Sequence, residues 1–348
     1  MFDNRVLLAR EAQCDALVHG LSTVPNGLKG SLMLVNGKWS GDWHPLQAKD
    51  VKGGFVRQAS SFRNWVTPDG SPGPTGVGGF PAAAGRYHLY VALFCPWASR
   101  TLIGRKLKRL DDVVSVSIVE PMATGQGWRF GDFPGADRDD LNGATYLHEI
   151  YTLAEPHFTG RATVPVLWDK ERRTIVNNES AEILRMLNSG FGGLADDSID
   201  LYPQPWRAEI DALNDQIYPR LNDGVYRAGF ATTQAAYEEA FHDVFGMLDE
   251  LEQRLATRRF LVGERLTEAD VRLFVTLVRF DAAYHGLFKC NLRRIVDYPN
   301  LEAYLRRMLA TPGIRETVNL THIKHGYYSI RALNPNGIVP LGPELRWG

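Results

Sequence analysis

Among the side chains here that could do chemistry, one cysteine is set apart by its neighbours. In "HLYVALFCPWASRTLIGRKL" Cys95 closes an apolar run, and Pro96 opens a segment in which Leu102, Ile103, Leu107 and Leu110 gather on one side of a helix. A sulfur at a helix start meets unpaired amide N–H groups and the positive end of the dipole, both of which favour the thiolate. A fall in pKa from ~8.5 to ~6 would raise the ionised fraction at pH 7 about thirtyfold but cost about tenfold in nucleophilicity. Positioning of the substrate and protonation of the leaving group must therefore supply most of the acceleration. Ala98 stands where a dithiol oxidoreductase would carry its second cysteine, so a mixed disulfide on Cys95 needs an external thiol to resolve it. Cys14 and Cys290 lack such a setting and read as buried structural cysteines.

Two further stretches fit a partner for that thiol. In "ATVPVLWD" the Val164-Pro165 bond lies where a strand begins, and a cis bond would turn the Val164 backbone toward the sulfur, where an extended peptide could pair. Glutathione is such a peptide. In "NNES", Glu179 and Ser180 at a helix start could hold the amine and carboxylate of a γ-glutamyl group, although the same residues also serve as plain helix caps. His322 and His325 lie one helical turn apart without the carboxylates or further histidines of a metal site, so no metal is expected.

The elements that must position these residues follow from periodicity. Residues 1–86 read as an N-terminal extension ending in the Pro/Gly-rich stretch "PDGSPGPTGVGGFPAAAG". Residues 87–195 give strand, helix and strand through "VVSVSIV", then a long insertion, the strands "TVPVLWD" and "RTIV", and an amphipathic helix. That order predicts an α/β thioredoxin-like domain. Residues 196–330 carry only helical spacing, as in Phe241, Val244, Leu248, Leu251 and Leu255, with a capping box at Thr267 and Asp270, and predict an all-α domain. Residues 331–348 form an extended tail.

Composition narrows the function classes. With 348 residues, 44% hydrophobic and 23% charged, the chain has room for two cores. A formal net charge of -1 provides no positive field for nucleic acid or an anionic membrane. No run of ~20 apolar residues occurs, and charges interrupt the first residues where a signal peptide needs an apolar stretch, so a cytoplasmic protein is expected.

In order along the chain, "FCPWASRTLI", "GWRF", "ATVPVLWD", "NNESAEI", "GVYRAGF", "RFDAAYHGLFKCN" and "NPNGIVPLGP" together resemble the glutathione transferase superfamily, and specifically its Xi class, the glutathionyl-hydroquinone reductases. The resemblance implies Cys95 as nucleophile and a glutathione site lined by Trp128, Arg129, Arg161, Thr163, Val164, Glu179 and Ser180. It implies Tyr226 as proton donor or acceptor, and an aromatic pocket with Tyr284, His285 and either Tyr327 or Tyr328. The family usually has histidine where Ser99 stands, a departure from its pattern beside the thiol. Glutathione enters as co-substrate with no bound cofactor, the substrates are S-glutathionyl-hydroquinones, and a homodimer is expected. A general deglutathionylase or thiol transferase, and a non-catalytic glutathione-binding module, are the alternative readings.

Overall fold

The computed structural model describes residues 33–40, 50–122 and 124–345; Cys14 lies outside them. A short hairpin, β1 (Met33–Val35) and β2 (Lys38–Ser40), comes first. The main sheet holds β3 (Tyr87–Val91), β4 (Val114–Ile118), β5 (Val166–Asp169) and β6 (Thr174–Asn177) in the order β4-β3-β5-β6. β3 runs parallel to β4 and antiparallel to β5, and β5 runs antiparallel to β6. Every residue of β3 and β5 is buried, as central strands covered on both faces require.

Helix α1 (Pro96–Leu107) crosses from β3 to β4. The insertion before β5 contains α2 (Leu147–Ala154), a helix absent from the sequence reading; Leu147, Ile150 and Tyr151 bury one face at three/four spacing. After β6 comes α3 (Ser180–Arg185), capped by the Glu179 carboxylate. The order is therefore β-α-β-α-β-β-α, with the sheet core formed by β3, β5 and the inner faces of α1, α2 and α3.

The remaining helices are α4 (Arg207–Ile217), α5 (Gly224–Gly229), α6 (Gln234–Leu255), α7 (Glu268–Arg279), α8 (His285–Leu287), α9 (Pro299–Ala310) and α10 (Leu320–Tyr328). They enclose a second core. At the start of α7, Asp270 accepts from the Thr267 backbone at 2.8 Å and from its hydroxyl at 3.0 Å, so the capping box forms. Two π-turns, Tyr218–Asn222 and Phe280–Tyr284, interrupt helical segments just before α5 and α8. Such turns re-aim side chains, and here they precede Tyr226 and deliver Tyr284.

The N-terminal segment joins both cores. Leu34, Val66 and Phe80 belong to the sheet core, Phe55 to the helical one. Asn64 donates to the Val176 carbonyl at 2.9 Å and Arg63 pairs with Asn177, so the segment covers the free edge of β6. Its preceding residues then run into the space between the two cores.

Candidate active site

Cys95 is the N-cap of α1, with extended backbone (φ −74°, ψ 120°), and only 7% of it is exposed. Its thiol donates to the Val164 carbonyl at 3.7 Å, and the Val164-Pro165 bond is cis. Burial pushes the thiol up; the amides of Ala98 and Trp97 and the positive charges of Arg279 and Arg57 pull the other way without reversing it. The sequence expectation of a depressed pKa is thus corrected. The helix start acts as anticipated, but desolvation outweighs it.

Cys95 lies at the floor of a cleft of ≈ 500 Å³ between the two cores. Trp128, Arg161, Thr163, Val164, Glu179 and Ser180 all line it. Tyr151, buried on α2, fixes the Thr163 backbone from both sides, donating to its carbonyl at 2.8 Å and accepting its N–H at 3.1 Å. The overlooked helix therefore holds the strand approach that carries Val164. Glu179 accepts the Ala181 amide at 3.2 Å on one oxygen and the Ser60 hydroxyl at 3.0 Å on the other. Behind Ser180 the buried Arg100 donates to its hydroxyl at 3.4 Å and to Asn222 at 3.0 Å. Arg129 does not line the cleft. Its side chain is 47% exposed and reaches Glu120 only at 3.9 Å.

The opposite wall is aromatic. Tyr226 lines the cleft, and its hydroxyl lies 2.6 Å from that of Tyr327, which in turn lies 2.6 Å from that of Tyr284. Tyr327 and Tyr284 stand behind Tyr226, completing a chain of three buried hydroxyls. Burial raises all three above the ordinary phenol range, Tyr226 and Tyr327 well above it. Each hydroxyl therefore keeps its proton at neutral pH, as a general acid must. Tyr328 and His285 fall outside: neither lines the cleft, and Tyr328 packs by Gly286. Gly326, one residue before Tyr327, admits the Phe94 ring so closely that a Cβ would come within 2.2 Å of it. Phe94 then lies between Trp128 and Tyr327, tilted to the first at 5.3 Å and edge-on to the second at 5.4 Å.

Several lining residues escaped the sequence reading. Phe55, Arg57, Gln58 and Ser60 come from the N-terminal segment, and Trp97 and Tyr218 from α1 and a π-turn. The Arg57 guanidinium lies over the rings of Trp97, Tyr226 and Phe55, at 4.7, 5.0 and 5.1 Å, with its Nε on Asp223 at 2.7 Å. One Arg57 nitrogen, Nη2, is buried without a hydrogen-bond partner. An arginine between aromatic residues in "GFVRQASSF" was the available signal, but nothing in its spacing points to a cleft.

His322 is committed to the Pro134 carbonyl at 2.8 Å, and His325 packs on the Phe133 ring. Among the described residues no group of three His, Cys, Asp or Glu side chains could hold a metal ion, and no helix is long and apolar enough to cross a membrane.

Comparison with known proteins places this architecture. The glutathione S-transferase N-terminal domain family matches residues 94–189, and the C-terminal domain family matches 234–307. The chain is 53% identical over 312 residues to the glutathionyl-hydroquinone reductase YqjG of Escherichia coli, covering 89% of this chain and 94% of that one. It is 50% identical over 314 residues to the glutathionyl-hydroquinone reductase PcpF of Sphingobium chlorophenolicum, covering 89% and 96%. The glutathione-bound structure of YqjG superposes with a TM-score of 0.83 at 50% identity, over 90% of this chain and 96% of that one. The Xi-class transferase of Natrialba magadii superposes at 0.84 with 47% identity, over 92% and 96%. With this fold, this cleft and this degree of identity along nearly the whole length, the chain belongs to the Xi class of the glutathione transferases, the family of the glutathionyl-hydroquinone reductases.

Proposed function

We propose that the chain uses glutathione to reduce S-glutathionyl-hydroquinones to hydroquinones, with Cys95 as nucleophile and Tyr226 as acid. The observation that carries this reading is a single buried thiol facing, across one cleft, both a peptide-sized polar wall and a proton-bearing hydroxyl chain. Glutathione pairs along Val164, with its γ-glutamyl end at Glu179 and Ser180 and with Trp128 and Arg161 beside it. That docking also explains how a raised thiol becomes reactive. The Val164 carbonyl accepts the thiol proton and so favours the neutral form; a paired peptide N–H takes that carbonyl over. The amides of Ala98 and Trp97 then face a sulfur whose neutral form has lost its acceptor.

The thiolate attacks the glutathionyl sulfur of the conjugate. For this the sulfur-bearing ring carbon first takes a proton from Tyr226, which makes the conjugate its keto tautomer. The carbon–sulfur pair then passes into the ring as a phenolate that regains its proton to give the hydroquinone, and Cys95 is left as a mixed disulfide with glutathione. Tyr327 donates to the tyrosinate, and Arg57 over its ring stabilises the new charge. A second glutathione thiolate attacks the mixed disulfide, releasing oxidised glutathione and restoring the Cys95 thiolate. No metal or bound cofactor takes part. The family's further candidates, Tyr328, His285 and Arg129, have no part in this scheme.

The same reading makes 87–195 the glutathione-binding unit, 196–330 the unit receiving the aromatic ring, and 1–86 and 331–348 flanking segments, in a cytoplasmic homodimer. Light scattering on the purified protein checks the dimer. The chemistry is tested by incubating the protein with glutathione and glutathionyl-menadiol. Menadiol, oxidised glutathione and a trapped adduct of one glutathione on Cys95 are expected; conjugate left intact with no adduct would defeat the proposal. Equal rates on alkyl and aryl conjugates would instead point to a general deglutathionylase.

A further inference from the structure

Arg279 ends α7 with 2% of its surface exposed. Its guanidinium donates to the Phe94 carbonyl at 2.8 Å, the Leu93 carbonyl at 2.9 Å, the Ser99 hydroxyl at 2.6 Å and the Val275 carbonyl at 2.7 Å. All four acceptors are neutral, and among the described residues no carboxylate pairs with it. A guanidinium stays protonated in a protein, and a cation withdrawn from water without an anion is costly to fold. Arg57, the other positive charge acting on Cys95, already has Asp223 at 2.7 Å.

The anchoring points locate the missing anion. Leu93 and Phe94 are the two residues before Cys95, and Ser99 lies one turn after it, so the charge is fixed to both ends of the segment that holds the sulfur. The titratable and charged groups acting there include Arg279, Arg57 and the hydroxyl-linked Tyr226, Tyr327 and Tyr284, joined by the Ala98 and Trp97 amides. At rest the tyrosines keep their protons, and the tyrosinate that forms at Tyr226 in turnover has Arg57 over its ring, so the anion left for Arg279, anchored on the segment around Cys95, is the thiolate.

We infer that Arg279 is the fixed counter-charge of the Cys95 thiolate, a positioning residue supplied to the sheet domain's thiol by the helical domain. This rests on Cys95 being the nucleophile. The bonds to Leu93 and Phe94 hold the loop, while the charge answers the sulfur each time it is exposed as a thiolate, once in each half of the cycle. Ser99 thereby acquires a role as the side-chain acceptor that fixes the guanidinium at the first turn of α1.

The test is the pH dependence of Cys95 alkylation by iodoacetamide, read by peptide mass spectrometry so that Cys14 and Cys290 do not interfere. Arg279→Gln should move the midpoint upward by at least one pH unit, leaving about tenfold less thiolate at a fixed pH below it. Arg279→Lys keeps the charge but cannot make all four bonds, and should stay within half a unit of the native protein. An unmoved midpoint in folded R279Q overturns the inference. If R279Q does not fold, R279K decides: a midpoint displaced by a full unit means that the bonds and not the charge matter, and overturns it too. Failure of the nucleophile reading would look different, since the native protein would then form no glutathione adduct on Cys95 while the alkylation midpoints could still be compared.

Discussion

Cys95 and Cys290 are both buried, both in domain cores, and both pushed up by desolvation, yet only one has the surroundings of a reagent. Cys290 follows α8 with none of its surface exposed, its sulfur 3.9 Å from the Phe288 carbonyl, and only Lys289 opposing the burial; its thiol is pushed up to about 12. Cys95 faces two amides and two guanidinium groups, and a cleft opens in front of it. The contrast shows that burial by itself makes a cysteine inert, and that reactivity comes from groups set against burial and from space for a substrate whose arrival alters the balance.

The largest effect should come from removing the sulfur itself. Cys95→Ala is expected to lower turnover of glutathionyl-menadiol by more than about 10³-fold, because no other group can form the covalent intermediate. Cys290→Ala should leave kcat within twofold and cost about 1–2 kcal/mol of stability through a small cavity. Steady-state kinetics and thermal melts of the two variants separate the roles. Comparable activity loss in both would erase the distinction between the thiols.

A second test asks whether the cleft around Cys95 contributes chemistry or only access. Tyr226→Phe removes the hydroxyl that faces the substrate while keeping the ring under Arg57, and should lower kcat about 10²-fold with little change in KM for glutathione. Tyr284→Phe, two hydroxyls away from the substrate, should cost less than Tyr226→Phe. An unchanged kcat in the Tyr226 variant would assign the proton to water.

The difference between the two thiols was legible because it is written locally. Cys95 is followed at once by Pro96 and a helix, so sequence spacing alone puts its sulfur at unpaired amides. The cap at Glu179 and the box at Thr267 and Asp270 were readable for the same reason. What opposed the amides was not readable, since the desolvation of Cys95 depends on how two domains close over it. Arg57 reaches Asp223 across 166 residues, a contact that no periodicity encodes. The neighbours Tyr327 and Tyr328 could not be told apart until α10 was docked, after which about 100° of helical rotation sends one hydroxyl to Tyr226 and the other to Gly286. Helix α2 was lost within the insertion, as its eight residues carry barely two turns of pattern.

The third test follows from the signs of the shifts. In the free protein the raised Cys95 thiol is mostly protonated near neutral pH, so its alkylation rate should climb with pH through and beyond the ordinary thiol range of about 8.5. The substrate analogue S-methylglutathione should block the reagent. Cys290 should stay unlabelled across the same range until the protein unfolds. For turnover, the acid must remain protonated while the thiol ionises. Tyr226 is held well above the phenol range, so kcat/KM should rise with pH and show no descending limb below about 10. A bell with its fall near neutrality would remove Tyr226 as the acid.

The smallest effects should come from the N-terminal segment, and they show how far the reactive setting of Cys95 extends. Arg57→Gln removes one of the two cations acting on the sulfur and the one over the Tyr226 ring, but Arg279 and the helix amides remain. It should lower kcat about tenfold or less, with the larger part in the half-reaction that cleaves the carbon–sulfur bond, where the tyrosinate forms. Ser60→Ala takes one hydrogen bond from the Glu179 carboxylate, which keeps the Ala181 amide, so KM for glutathione should rise only a few-fold at unchanged kcat. Stopped-flow measurement of adduct formation and of its resolution by glutathione separates these steps. If Arg57→Gln slowed resolution as much as cleavage, its charge would be acting on the sulfur common to both steps, and the segment would belong to the thiol's surroundings more than to the acid's.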